Sequence, residues 1–139
     1  MAPDAPLVVY TDGASRGNPG RAAIGASVQD LAGRELHAVS REIGVATNNE
    51  AEYRAAIAGL EAALALGADR VELRMDSELC VRQLSGRYRV RNPRLQELHA
   101  RVELLRRQFR AFGVHHVPRE QNRRADWLAN AALDGRSVT

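Results

Sequence analysis

The chain has 139 residues and a formal net charge of +3, with 45% hydrophobic and 27% charged residues. This length is typical of one domain, residues 1–139, and the composition excludes a disordered chain, a collagen-like repeat and a disulfide scaffold. Cys80 is the single cysteine, no segment approaches about 18 apolar residues, and the first residues lack the pattern of an export signal. We therefore expect a cytoplasmic monomer without membrane contact.

The distribution of charge is more informative than its total. All 20 basic residues are arginines, and twelve of them lie between Arg82 and Arg124, where only three acidic residues occur. The rest of the chain has an excess of acids. One cationic region suits a polyanionic partner such as a nucleic acid, although a codon bias toward arginine is an alternative explanation.

The first half of the chain predicts three strands and a long helix. The apolar run Leu7–Thr11 is typical of a strand buried on both faces. Ala22–Gln29 and Arg34–Ile43 are spaced as two further strands of an antiparallel meander. Apolar and small residues at helical spacing then predict a helix that ends near Leu66. Three residues can cap this helix: Thr47, Asn48 and Asn49.

The second half predicts two strands and three helices. Arg70–Met75 alternates as a strand does and follows a helix, which makes it parallel to the first strand. Ser77 can cap a short helix, and a longer helix is expected over Pro93–Phe112. Val114–Pro118 is the last predicted strand and Asn122–Leu133 the last helix. The order βββαβααβα indicates an α/β fold, a five-stranded mixed sheet with helices on both faces.

Four carboxylates stand where these elements begin or end. Asp12 and Asp76 follow two predicted strands, and Glu52 and Asp126 lie in the first turns of two helices. Ligand sites of open α/β sheets form at the carboxyl ends of strands, and clustered carboxylates repel one another unless a cation compensates them. Oxygen ligands without cysteine or paired histidine suit Mg²⁺ or Mn²⁺. The alternative is that each acid caps a helix or pairs with an arginine.

The chain resembles the type 1 ribonuclease H family in four segments that follow the family's order: YTDGASRGNPG (Tyr10–Gly20), TNNEAEYRAAIAGL (Thr47–Leu60), MDSELCV (Met75–Val81) and NRRADWLAN (Asn122–Asn130). The resemblance implies a ribonuclease H-like fold in which Asp12, Glu52, Asp76 and Asp126 are catalytic metal ligands. It also implies hydrolysis of the RNA strand of RNA–DNA hybrids with two ions, Mg²⁺ or Mn²⁺, leaving 5′-phosphate and 3′-hydroxyl ends. We interpret Glu50 as a solvent-facing neighbour of this set.

The resemblance further implies a set of substrate contacts. The loop Gly13–Gly20 and the pair Asn48–Asn49 match segments that contact 2′-hydroxyl groups across the minor groove. Thr47 matches a position that binds a phosphate of the DNA strand, and helix capping is an alternative role for the two asparagines. The predicted substrate-binding residues are Gly13, Ser15, Asn18, Thr47, Asn48, Asn49, Ser77, Arg87, Arg89, Arg119 and Asn122.

Two departures from the family pattern change these expectations. The short link Ser85–Asn92 stands where many relatives have a basic protrusion, and its arginines either take over that electrostatic role or form a solvated link. His116 falls on a predicted strand rather than on the flexible loop where many relatives carry a histidine, so Arg119 or Glu120 is better placed for that task. This compact pattern looks like a subgroup of some bacteria and archaea, certain members of which also cut double-stranded RNA.

Two other functions stay open at this stage. A module that binds hybrid or double-stranded RNA without cutting it would have a broken set of acids, and none of the four is missing. Another nuclease of the same superfamily, such as a 3′–5′ exonuclease or a junction resolvase, would lack the combination of DGASRGNPG and TNN-x-AEY.

Overall fold

A computed structural model describes residues 5–137. Five strands form one sheet: β1 (Leu7–Gly17), β2 (Gly20–Gln29), β3 (Glu35–Ala46), β4 (Arg70–Met75) and β5 (Ala111–His116). Four α-helices accompany it: α1 (Asn48–Ala65), α2 (Glu78–Leu84), α3 (Pro93–Arg106) and α4 (Arg123–Leu133). The strand order is β3-β2-β1-β4-β5, with the first three strands antiparallel and β4 and β5 parallel to β1. The predicted fold class and element order are confirmed. None of the helices within residues 5–137 is long and apolar enough to span a membrane.

Helix α1 lies very close to one face of the sheet. A methyl group at Gly59 would come 2.6 Å from Cγ1 of Val9 and 2.9 Å from Cγ2 of Thr11, so a glycine is needed at this crossing. Tyr53 and Leu60 of the same helix are fully buried in the main hydrophobic core, which α3 completes. This close packing brings the first turn of α1 to the middle of β1, at Gly13.

Helix α4 lies against the opposite face of the sheet, which confirms that helices cover both faces. Successive residues of β2 point to opposite faces, so Gly25 faces away from α1, which Ala26 faces. A methyl group at Gly25 would come 2.2 Å from the carbonyl oxygen of Ala125 and 2.6 Å from the amide nitrogen of Ala129 in α4. Gly25 is also the register partner of Asp12 on β1. Gly25 thus allows α4 to lie directly over the middle of the first strand, beside Asp12.

The first strand is longer than its apolar run predicts. It continues to Gly17 rather than ending at Thr11, because its pairing with β2 extends to the Gly17–Gly20 pair at the hairpin. Gly17 has a φ of 130°, a conformation that favours glycine. A loop was expected here, and the ladder of hydrogen bonds explains why a polar, glycine-rich segment is a strand.

The predicted boundary between the third helix and the last strand is wrong. Helix α3 ends at Arg106 instead of Phe112, and β5 spans Ala111–His116 instead of Val114–Pro118. Phe109 is buried in the main core from the turn between the two elements, and Phe112 packs against that core from β5. Phe109 and Phe112 continue the apolar spacing of the helix, although neither residue belongs to it. The spacing therefore predicted a helix that is too long.

Replacement of Gly25 by alanine tests the close packing of α4. The new methyl group would overlap the α4 backbone, and we expect a loss of about 1–3 kcal/mol in the free energy of unfolding. Thermal or urea unfolding measures this loss. Gly113→Ala is the matched control, because its methyl group would meet only the flexible His115 side chain. Equal stability of Gly25→Ala and the wild-type protein would contradict this packing.

Candidate metal centre

Three of the predicted acids converge where β4 ends and its pairing with β1 stops. Asp12 lies on β1, Asp76 directly follows β4, and Glu52 lies in the first turn of α1. One carboxylate oxygen from each of these side chains lies within 4.8 Å of the other two. Asp126, in the first turn of α4, is near enough to Asp12 to raise the pKa of that carboxyl. The structure therefore clusters three of the four predicted acids and places Asp126 beside Asp12.

The acids are buried more deeply than solvated carboxylates. Asp12 is 7% exposed and Glu52 is 8% exposed. Burial, followed by the negative charges of Glu52 and Asp76, raises the pKa of Asp12 to about 9. Burial also raises the pKa of Glu52 to about 7, although the Gly13 amide and the charge of Arg119 act in the opposite direction. Without a cation, this cluster retains protons near neutral pH.

No arginine compensates the cluster through an ion pair. Within residues 5–137, none of the ion pairs involves Asp12, Glu52, Asp76 or Asp126. The alternative that each acid pairs separately with an arginine is therefore wrong. The donor set consists of carboxylate oxygens, which Mg²⁺ and Mn²⁺ prefer, and these residues fit such an ion.

The histidines do not contribute to this site. His115 lies 3.0 Å from Oε1 of Glu72, and His99 lies 3.3 Å from the carbonyl oxygen of Gln83. His116 lies on β5, as the sequence predicted. None of them belongs to the acid cluster found among the described residues. A zinc site, with its preference for histidine and cysteine, does not fit this arrangement.

Gly13 holds Glu52 in place. Its amide N–H donates a hydrogen bond of 2.6 Å to Oε1 of Glu52. A methyl group at Gly13 would lie 2.2 Å from the carbonyl carbon of Ala51, so only glycine allows the first turn of α1 to approach β1 this closely. The sequence predicted a substrate contact at Gly13, whereas its amide in this structure supports the acid cluster.

Asn122 is not positioned as the predicted substrate contact. Its side chain is fully buried, so it has no surface to offer to a nucleic acid. Its Nδ2 donates to the carbonyl oxygen of Thr11 at 2.9 Å and to Oδ2 of Asp76 at 3.0 Å. The prediction is corrected accordingly: this asparagine lies behind the acids. Residue identity alone could not reveal the direction of its side chain.

The hairpin after β1 meets the start of α1. The Ser15 hydroxyl donates to the carbonyl oxygen of Ala46 at 2.8 Å, and the Asn48 amide N–H donates to Oδ1 of Asn18 at 3.1 Å. Asn18 and Asn48 are exposed, and Asn49 is half-buried. These hydrogen bonds bring three of the predicted substrate-binding residues to one surface beside the acids, and Asn49 is the next residue of α1 after Asn48.

The cap of α1 is Thr47 rather than either asparagine. Its hydroxyl accepts a hydrogen bond from the Glu50 amide at 3.2 Å, and the Glu50 carboxylate accepts one from the Thr47 amide at 3.0 Å. Glu50 is therefore half of a capping box, and its interpretation as a solvent-facing neighbour is wrong. The spacing T-N-N-E is the signal that could have identified it.

The remaining predicted contacts lie around the site in three places. Ser77 caps α2, since its hydroxyl accepts a hydrogen bond from the Cys80 amide at 3.3 Å. Arg87 and Arg89 are exposed on the link between α2 and α3. Arg119 is exposed and, together with Asp126, lines a cavity of about 330 Å³. The charge of Arg119 also lowers the pKa of Glu52. Arg119 is therefore a predicted substrate-binding residue whose positive charge acts on the acid cluster.

Comparisons with known proteins agree with this geometry. The family model described as "Reverse transcriptase-like" matches residues 10–132. The chain is 47% identical over 129 residues to the bifunctional protein Rv2228c of Mycobacterium tuberculosis, covering 92% of this chain and 35% of that protein. The chain thus spans about a third of the length of such curated relatives.

Two solved structures share both the fold and much of the sequence. RNase H1 of the halophilic archaeon Halobacterium salinarum is 46% identical, with a TM-score of 0.91 and coverage of 93% of this chain and 98% of that one. LC11-RNase H1, isolated from compost and solved with an RNA/DNA hybrid, is 44% identical, with a TM-score of 0.88 and coverage of 93% and 97%. The family match, these two structures and the converging acids lead to one conclusion: the chain belongs to the type 1 ribonuclease H family.

Proposed function

We propose that the chain is a metal-dependent endoribonuclease that hydrolyses the RNA strand of RNA–DNA hybrids. The observation that carries this proposal is the cluster of Asp12, Glu52 and Asp76, whose carboxylate oxygens lie within 4.8 Å of one another. A buried group of acids without an ion pair destabilises the folded protein. Binding of divalent cations is a function that accounts for such a group. The structure of LC11-RNase H1 with an RNA/DNA hybrid supports the choice of substrate.

The four acids would hold two ions, Mg²⁺ or Mn²⁺. Asp12 would be the central ligand, because each of the other three acids raises the pKa of its carboxyl. Divalent ions held there would supply activation of a water molecule and stabilisation of charge on the leaving oxygen. The chain's own residues orient the ligands: the Gly13 amide fixes Glu52, and the Asn122 amide fixes Asp76. Attack by water on phosphorus, with departure of the 3′-oxygen, leaves 5′-phosphate and 3′-hydroxyl ends.

The surface formed by the hairpin and the start of α1 would distinguish RNA from DNA. A protein recognises RNA in a hybrid through 2′-hydroxyl groups across a wide, shallow minor groove. The polar groups of Asn18, Asn48 and Asn49 lie on this surface, and the hydrogen bond between Asn18 and Asn48 fixes their separation. We propose that these residues contact the RNA strand and that Thr47 contacts a phosphate of the DNA strand.

Arginines at two places would bind phosphates of the nucleic-acid backbone. Arg119 lies beside the acids and lines the cavity next to Asp126, where it can contact the phosphate that is cut. Glu120 lines the same cavity, but only the charge of Arg119 is among the influences on the pKa of Glu52. We therefore propose that Arg119 takes the place of the histidine that many relatives carry. Arg87 and Arg89 are exposed on a short link and would contact phosphates farther from the acids.

Replacement of Asp12 by asparagine should abolish cleavage. The substitution removes the central ligand. It also removes the cost of keeping the buried Asp12 carboxyl protonated at a pH where the unfolded chain would ionise it, so we expect metal-free Asp12→Asn to melt about 3–8 °C higher at pH 8. Cleavage of a labelled hybrid with Mg²⁺, together with thermal unfolding, measures both effects. Glu103→Gln, which changes an acid of α3 beside Arg106, is the control and should leave both properties unchanged.

The same assay separates the alternative functions. Hybrid, double-stranded RNA and double-stranded DNA are supplied in parallel, with and without Mg²⁺. Cutting of the hybrid only with the metal supports the proposal, and added cutting of double-stranded RNA extends it. Binding of the hybrid without cutting would indicate a non-catalytic module, and full activity of Asp12→Asn would reject the assignment of the acids.

The metal-free protein should lose stability as the pH rises from about 5 to about 8. The pKa values of Asp12 and Glu52 are raised to about 9 and about 7 from ordinary values of 3.8 and 4.5. The folded protein therefore binds more protons than the unfolded chain in this range, and their stabilising effect is lost as the pH increases. Urea unfolding at a series of pH values measures this trend, and millimolar Mg²⁺ should flatten it.

Other carboxylates do not obscure this trend. The hydrogen bond from Arg124 lowers the pKa of Glu35 below its ordinary value of 4.5, so the stabilisation that Glu35 provides is lost only as the pH falls below that value. Stability that stays constant or rises between about pH 5 and about pH 8 without metal would contradict the proposed burial of the acids.

Arginines of the link should determine part of the salt dependence of binding. With the inactive Asp12→Asn protein as background, Arg87→Ala combined with Arg89→Ala should reduce the slope of log affinity against log salt by about 1 per arginine. Fluorescence anisotropy of a labelled hybrid at several KCl concentrations measures the slope. Arg34→Ala, on the turn between β2 and β3, is the control. An unchanged slope in the double variant would show that the link does not contact phosphates.

A further inference from the structure

Asn122 occupies the N-cap position of α4 without acting as a cap. Each of the other α-helices has an N-cap residue whose side chain accepts a hydrogen bond from a backbone amide of that helix. These residues are Thr47 for α1, Ser77 for α2 and Asn92 for α3. Asparagine is among the residues that cap helices best, yet the Asn122 side chain makes no such bond to α4. Its amide is turned instead toward Thr11 in the middle of β1 and toward Asp76 at the end of β4.

Two buried polar atoms in this region have no hydrogen-bond partner among the described residues. Asn122 is fully buried, and its Oδ1 has no hydrogen-bond partner among the described residues. The Thr11 hydroxyl, equally buried, also has none. A buried polar atom without a partner destabilises the fold. Asn122 therefore neither caps α4 nor satisfies its own Oδ1 atom. Stability of the fold alone does not account for this arrangement.

The side chain of Asn122 bonds one acid directly and the strand of a second. Its Nδ2 donates to Oδ2 of Asp76 at 3.0 Å and to the carbonyl oxygen of Thr11, the peptide group that leads into Asp12, at 2.9 Å. Its backbone carbonyl oxygen accepts the amide N–H of Asp126 at 3.1 Å. One buried residue thus contacts β1, β4 and α4 at the three points where they present their acids.

We propose that Asn122 is a positioning residue whose side chain fixes Asp76 relative to the strand that carries Asp12, for binding of divalent cations. This inference rests on the proposed function of the acid cluster. Asn122 does not touch the substrate, since it is fully buried. It acts through the acids by holding Asp76 in one orientation, as residues behind metal ligands do.

Two variants test this role. Asn122→Leu keeps a branched side chain of similar shape and removes both hydrogen bonds, whereas Asn122→Ala removes the side chain. Ser40→Ala is the matched control, because the Ser40 hydroxyl also forms a hydrogen bond to α4, at 2.6 Å from the carbonyl oxygen of Leu128, and touches no acid. Metal-free thermal unfolding and circular dichroism establish that each variant is folded.

The first measurement is binding of Mn²⁺ without nucleic acid. Isothermal titration calorimetry gives the affinity, and fluorescence of Trp127 offers a second signal, since this only tryptophan of the chain directly follows Asp126. We expect the affinity of both Asn122 variants to fall about 10–100-fold, as with loss of other residues that orient metal ligands. Ser40→Ala should bind Mn²⁺ as the wild-type protein does, whatever its melting temperature.

The second measurement is cleavage of the hybrid at several Mg²⁺ concentrations. We expect kcat to fall at low Mg²⁺ and to recover as Mg²⁺ increases, with the KM for the hybrid within about 2-fold of wild type. Because Asn122 acts through Asp76, adding Asn122→Leu to Asp76→Asn should cost little further metal affinity.

Defined results would overturn the inference. Mn²⁺ affinity within about 2-fold of wild type in a folded Asn122 variant excludes the positioning role. A raised KM for the hybrid with unchanged metal affinity would indicate a substrate contact instead. If the wild-type protein binds Mn²⁺ but does not cut the hybrid, the proposed function fails while the titration still decides the role of Asn122. A wild-type protein that binds no Mn²⁺ overturns both.

Discussion

Electrostatic repulsion among buried carboxylates is the constraint on which the site depends. Asp12 and Glu52 are almost completely buried, and together with Asp76 they place negative charge within a few ångströms of one another. Hydration cannot compensate these charges, and no ion pair within residues 5–137 does so. Either protons or cations must neutralise these charges. The protonation of the acids, the stability of the fold and the binding of cations therefore depend on one another.

The rest of the fold holds the acids against this repulsion. Three glycines allow unusually close contacts: Gly59 lets α1 approach the sheet, Gly13 accepts the first turn of α1, and Gly25 accepts α4. Because Gly25 pairs with Asp12, the helix that lies over it also presents Asp126 beside Asp12. Small residues at these crossings therefore have a functional consequence, since they determine the distances between acids on separate elements.

Local patterns in the sequence were sufficient for the main features and insufficient for the others. The four acids and the order of elements could be predicted, because strand alternation, helix caps and the family motifs are local signals. The end of α3 could not, because Phe109 and Phe112 are buried in the same core whether they lie on a helix or beyond it. The direction of the Asn122 side chain could not be predicted either, since asparagine before a helix normally predicts a cap.

The most direct test of the account is the location of Mn²⁺ in crystals of the wild-type protein, determined by anomalous scattering. The account predicts a Mn²⁺ peak coordinated by the carboxylates of Asp12, Glu52 and Asp76, and loss of that peak in Asp12→Asn crystals grown in the same way. A peak located elsewhere, or none at an Mn²⁺ concentration that supports cleavage, would contradict the claim that these buried acids exist to share divalent cations.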